Sequence, residues 1–166
     1  FRINFTPKIS DHPSMIIGID STMTKEGKKY VLSASFNRNF NKFYTDYKID
    51  KENDSALEYL IKSALNHFSH VNKDYLPKTV IIYRQGGNEK QTEKIMKFEL
   101  EKITKTFEGY KENYKPQLTV FSVNKKTDLK FFERFNGGYR NLPAGTVIDK
   151  SNNYESVERA FRAVVC

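Results

Sequence analysis

The chain has 166 residues, with 28 Lys+Arg against 20 Asp+Glu for a formal net charge of +8, and 13 Phe with 10 Tyr but no Trp. That length is one domain's worth, eight Gly and five Pro are too few for a low-complexity or collagen-like chain, and the periodic apolar runs exclude a disordered tail. A single Cys, at position 166, excludes a disulfide scaffold or a Cys-based zinc site within the chain, and no run approaches the ~20 apolar residues of a membrane span.

The opening Phe1-Arg2-Ile3-Asn4 has neither an initiator Met nor a basic-then-apolar signal segment. The expectation is a fragment of a larger intracellular protein, cytoplasmic or nuclear and not secreted, with residues 1–13 as a lead-in. Met15-Ile16-Ile17-Gly18-Ile19 is a short continuous apolar run, as in a strand buried on both faces, and it ends at Asp20. Thr24 to Lys28 reads as a turn into a second strand, Tyr30 to Phe36, and a third is expected from about Phe40 to Tyr47. These three make an antiparallel meander.

The period then changes. Leu57, Leu60, Ile61, Ala64, Leu65 and Phe68 fall on one helical face, and Ser55-x-x-Glu58 offers a capping box at its start. His67 and His70 on this helix read as a surface pair rather than a metal site. Thr79 to Tyr83 is another apolar strand, followed by Arg84-Gln85-Gly86-Gly87. A strand, a helix and a buried strand in succession predict a crossover with parallel pairing. A second helix is expected from Asn88, with Gln91 at its third turn position and Met96, Leu100, Ile103 and Phe107 along its core face. Leu118 to Val123 is a further strand, and Thr146-Val147-Ile148 follows a Pro143-Ala144-Gly145 turn. The order βββαβαβ predicts an α/β fold with a mixed sheet.

Charge placement singles out one stretch. Between 122 and 140, Lys125, Lys126, Lys130, Arg134 and Arg140 stand against Asp128 and Glu133, or 5 − 2 = +3, with Phe131, Phe132, Phe135 and Tyr139 interleaved. A basic, aromatic loop suits a phosphate backbone beside unstacked bases, although its Phe residues read equally well as core and are not assigned as sites. Elsewhere Lys and Glu are interspersed, as on a solvated helix face.

Three antiparallel strands followed by helix–strand repeats is the order of a ribonuclease H-like fold, in which the carboxyl ends of the first and fourth strands lie side by side. Carboxylates there would hold two Mg²⁺ about 4 Å apart, clamping the attacking and leaving oxygens of a phosphodiester. The first strand here ends in Asp20, but the fourth ends in Gln85. An amide is neutral and a far weaker Mg²⁺ partner than a carboxylate.

Tyr83-Arg84-Gln85-Gly86-Gly87-Asn88-Glu89-Lys90-Gln91 resembles the Tyr-Arg-Asp-Gly segment of the PIWI domain of Argonaute and Piwi proteins. Met15 to Asp20 is similar to that family's first strand with its first catalytic Asp, and Glu99-Leu100 also matches. Tyr114-Lys115-Pro116, Val123-Asn124-Lys125-Lys126 and Asn141 to Asp149 resemble further family motifs, in the family's order. The resemblance implies a partial PIWI domain over 14–166, ribonuclease H-like and incomplete at its C-terminus. It implies that Asp20 is the first metal-site Asp, Glu52 the mobile Glu (or Asn53, given a one-residue gap) and Gln85 the degenerate position of the second Asp, with the family's His lying beyond Cys166. It also implies that Lys125, Lys126 and Lys130 contact guide-strand phosphates. The function so implied is small-RNA-guided silencing with a guide RNA, a target RNA and silencing proteins as partners, weak or absent Mg²⁺ binding, and lost or reduced slicing. The alternative is a Mg²⁺-dependent guided endoribonuclease using Asp20 and Glu52 with a substitute ligand. Ser21-Thr22-Met23, Thr127-Asp128 and the tail from Ser151 depart from the family pattern.

Overall fold

Met15, Ile17 and Ile19 are buried, and Ile16, Gly18 and Asp20 between them are more exposed. That period of two is the pleat of β1 (Ser14–Thr24). The structure, a computed structural model, describes residues 12–50, 55–86, 95–123, 130–150 and 161–164. β1 pairs antiparallel with β2 (Gly27–Ser35), which pairs antiparallel with β3 (Phe43–Asp50). At the β1–β2 turn Gly27 has φ +134°, and a Cβ there would lie 2.3 Å from the Asp50 carbonyl oxygen, so only glycine fits.

Helix α1 (Ala56–Val71) carries the chain from β3 to β4 (Thr79–Gln85), and β4 lies parallel to β1. A π-helical turn, Ile95–Glu99, leads into α2 (Leu100–Glu108), and β5 (Gln117–Val123) closes the sheet parallel to β4. The sheet order is β3-β2-β1-β4-β5. One of its faces supplies Met15, Ile17, Ile19, Leu32, Ala34, Val80 and Ile82 to the core, together with the α1 stripe and with Ile103 and Phe107 of α2. No described helix is long and apolar enough to cross a membrane.

Two sequence expectations change. β1 does not stop at Asp20, because β2 continues its ladder from Asp20↔Val31 to Thr24↔Gly27 after β4 has ended. The capping box is not formed: Ser55 sits at φ −98°, ψ −3°, a helical conformation in which its hydroxyl makes no cap bond. Glu58 instead accepts from Lys62 Nζ at 2.6 Å. The expected start of the second helix at Asn88 and Gln91 lies outside the described residues.

Residues 127–166 form a second compact unit. Part of the expected basic loop is a hairpin, β6 (Phe132–Phe135) with β7 (Gly138–Asn141), turned through Asn136 and Gly137 at φ 49° and 81°. Asn-Gly with both residues at positive φ is the favoured two-residue hairpin turn. β8 (Val147–Lys150) pairs antiparallel with β9 (Phe161–Val164), a strand the sequence did not announce.

Candidate functional site

The β1–β4 ladder runs as far as Ile19↔Arg84, so the next residues on each strand, Asp20 and Gln85, come together on the sheet face opposite the helices. This is the juxtaposition expected from the fold order. A Gln85 carbonyl aimed at the carboxylate would set acceptor against acceptor. Turned the other way, the amide NH₂ donates to Asp20 Oδ2 at 2.9 Å and Oδ1 at 3.2 Å. The Ser21 backbone N–H donates to Oδ1 as well, at 2.6 Å. Asp20 is exposed, and both of its oxygens are occupied by neutral donors.

The opposite face of the same strand ends carries a buried ionic cluster. Arg84, 3% exposed, and Glu99, 8% exposed, pair through both carboxylate oxygens, Nε to Oε2 at 2.7 Å and Nη2 to Oε1 at 3.2 Å. Oε1 also accepts from Lys28 Nζ at 3.1 Å and from the Tyr30 hydroxyl at 3.2 Å. The Arg84 guanidinium further donates to Ser21 Oγ at 2.8 Å and to the Gln85 carbonyl at 2.9 Å. Arg84 therefore ties the Ser21 side chain on β1 to the Gln85 backbone on β4, beside the Asp20–Gln85 contact, and the π-helical turn presents Glu99 to it.

Burial alone would raise the Glu99 carboxyl, but the hydrogen bonds and charge of Arg84, then of Lys28, more than offset it and hold the group below its ordinary value. Burial pushes the Tyr30 hydroxyl up, and the adjacent Glu99 charge adds to this. Burial opposes charge on Lys28, yet its bonds to Tyr30 and Glu99 raise it overall. Glu99 was visible in the sequence only as part of a motif. Its contact with Arg84, Lys28 and Tyr30 joins residues up to 71 positions apart, and no local period signals that.

The described residues do not fit Mg²⁺. At the sheet end they supply one carboxylate, whose oxygens already accept from an amide and a backbone N–H, and they contain no group of three His, Cys, Asp or Glu able to hold a metal. Glu52, Lys125 and Lys126 lie outside the described residues. Lys130 is exposed. His67 is not half of a surface pair: it is half-buried between Phe36 and Tyr44, with ring centroids at 4.8 and 5.0 Å, because its helical position faces the sheet. His70 is exposed.

A five-stranded mixed sheet in the order 3-2-1-4-5, with Asp20 and Gln85 side by side just past the last pair of the β1–β4 ladder, has the ribonuclease H-like fold. Residues 1–159 match the Piwi domain family. The chain belongs to that family. Piwi-like protein 1 of Gallus gallus is 30% identical over 141 residues, covering 81% of this chain and 16% of the relative. The crystal structure of Drosophila Piwi superposes with a TM-score of 0.70 at 22% identity, covering 93% of this chain and 21% of that one. That of Kluyveromyces polysporus Argonaute with a guide RNA gives 0.66 at 19% identity, covering 84% and 19%. The chain thus spans about a sixth of the curated relative's length.

Proposed function

We propose that the protein carries a small guide RNA and its paired target, and that it silences by holding RNA rather than by cutting it. The observation behind this reading is the Gln85 amide on the Asp20 carboxylate. A neutral donor stands where a two-metal phosphodiesterase needs a second acid, and it engages the oxygens of the acid that is kept. Family membership supports the RNA-carrying half of the reading. Lys125, Lys126 and Lys130 hold backbone phosphates, which asks only for positive charge within reach. The Kluyveromyces polysporus relative was crystallised with a guide RNA. Silencing proteins recruited by the loaded complex would act in the cytoplasm or the nucleus.

Isolating the full-length protein from its source cells and sequencing the accompanying RNA tests this reading. A narrow length class with a shared 5′ nucleotide is expected, and it should be lost from a Lys125/Lys126/Lys130 triple Ala variant. RNA of random length, or none, would contradict it.

A further inference from the structure

The β6–β7 hairpin has two unlike faces. Its register pairs Phe132 with Asn141, Glu133 with Arg140, Arg134 with Tyr139 and Phe135 with Gly138. Opposite residues and residues two apart share a face, so Glu133, Phe135 and Arg140 lie together and Phe132, Arg134, Tyr139 and Asn141 lie on the reverse. The first face satisfies itself. Arg140 Nε donates to Glu133 Oε1, and its guanidinium sits 3.8 Å over the Phe135 ring.

The reverse face does not. Tyr139 is 80% exposed and Phe132 55%, and Arg134 has no ion pair among the described residues. Exposed rings of this size on a polar hairpin mark a contact surface. Arg134 stands on this face with no acid among Phe132, Tyr139 and Asn141 beside it, so the surface favours an anionic occupant. Flat rings beside an unpaired guanidinium suit unstacked bases on a phosphate backbone, since every base offers a π-face and the backbone supplies the charge. Phe132 and Tyr139 are diagonal neighbours across the hairpin, roughly 7–8 Å apart at the backbone, which leaves room for a separate base on each ring.

We propose that this face is a stacking platform for single-stranded RNA, with Tyr139 and Phe132 each taking a base and Arg134 a phosphate. The proposal rests on the RNA-carrying reading above and adds a site to it. Because stacking reads no base edges, the platform is tolerant of sequence.

The test uses full-length protein isolated with its own small RNA, and a fluorescent oligouridine probe with no complementarity to that RNA, titrated at several salt concentrations. Tyr139→Ala should weaken probe binding about 5- to 150-fold with the salt slope unchanged, the effect of losing one base–aromatic stack. Tyr139→Phe keeps the ring and should bind as wild type does, which separates stacking from a folding defect. Arg134→Ala should reduce the slope of log affinity against log salt by about 0.7, one phosphate contact on a single strand. Wild-type protein that retains its small RNA but ignores the probe, or a Tyr139→Ala variant of unchanged affinity, would overturn the platform and leave the RNA-carrying reading intact. Tyr139→Ala that keeps the probe but sheds a co-isolated protein would make the face a protein contact and overturn it too. Wild-type protein that carries no small RNA and binds no probe would remove both.

Discussion

Gln85 carries the functional argument, and the sequence already displayed it: an amide where the strand order asks for an acid. What the sequence could not display is the direction of that amide. Donating to both Asp20 oxygens, it neutralises no charge but competes with a cation for the carboxylate's lone pairs. Gln85→Asp would put two carboxylates in contact, raise the pKa of the pair and destabilise the strand ends at neutral pH unless a divalent cation joins them. Thermal unfolding of that variant should therefore shift upward on adding Mg²⁺ or Mn²⁺, whereas the wild-type midpoint should not move. Gly27 offers a prediction of a different kind. At φ +134°, with the Asp50 carbonyl 2.3 Å from any Cβ, Gly27→Ala forces the β1–β2 turn to shift and should cost at least about 1–3 kcal/mol of stability, measurable by denaturant unfolding.

Among the elements, the π-helical turn and its Glu99 show how the strand ends are held. Glu99→Gln leaves the Arg84 guanidinium buried without a counter-charge, a loss of about 3–5 kcal/mol for a broken buried pair. The pH dependence follows from the direction of the Glu99 shift. Its carboxyl is held below its ordinary value of 4.5 in the folded state, so its contribution is fully present above that value and is lost as the pH falls below it, through the depressed folded pKa. Wild-type stability should decline over that acidic window more steeply than that of Glu99→Gln, which has no group to titrate there.

Legibility differed sharply among the elements. The α1 stripe was readable because seven buried positions repeat at helical spacing. β1 and β4 were readable as strands from their apolar runs, but they bury one face and not both, since Ile16 and Ile81 are half-buried and Tyr83 is exposed. The capping box failed because its spacing is necessary but not sufficient, since Ser55 must also leave the helical region. The β6–β7 hairpin was readable through Asn136-Gly137, but the density of charge around that pair read as a loop. β9 carries no local signal, and its partner strand is what defines it.

For the whole molecule, the parallel sense of β4 followed from element order, because a helical crossover constrains its strands to lie parallel. Its place beside β1 followed from the ribonuclease H-like order, and the full strand order came only with the structure. The same junction brought Asp20 and Gln85 together as expected, while Glu52, Lys125 and Lys126 fall outside the described residues. The most direct test of an RNA carrier that does not cut is to load the full-length protein with a defined guide and supply a matched, end-labelled target with Mg²⁺. The account predicts a stable complex and an intact target. Cleavage opposite the guide by the wild-type protein, abolished in Asp20→Ala, would contradict it and show that the amide at Gln85 does not silence the site.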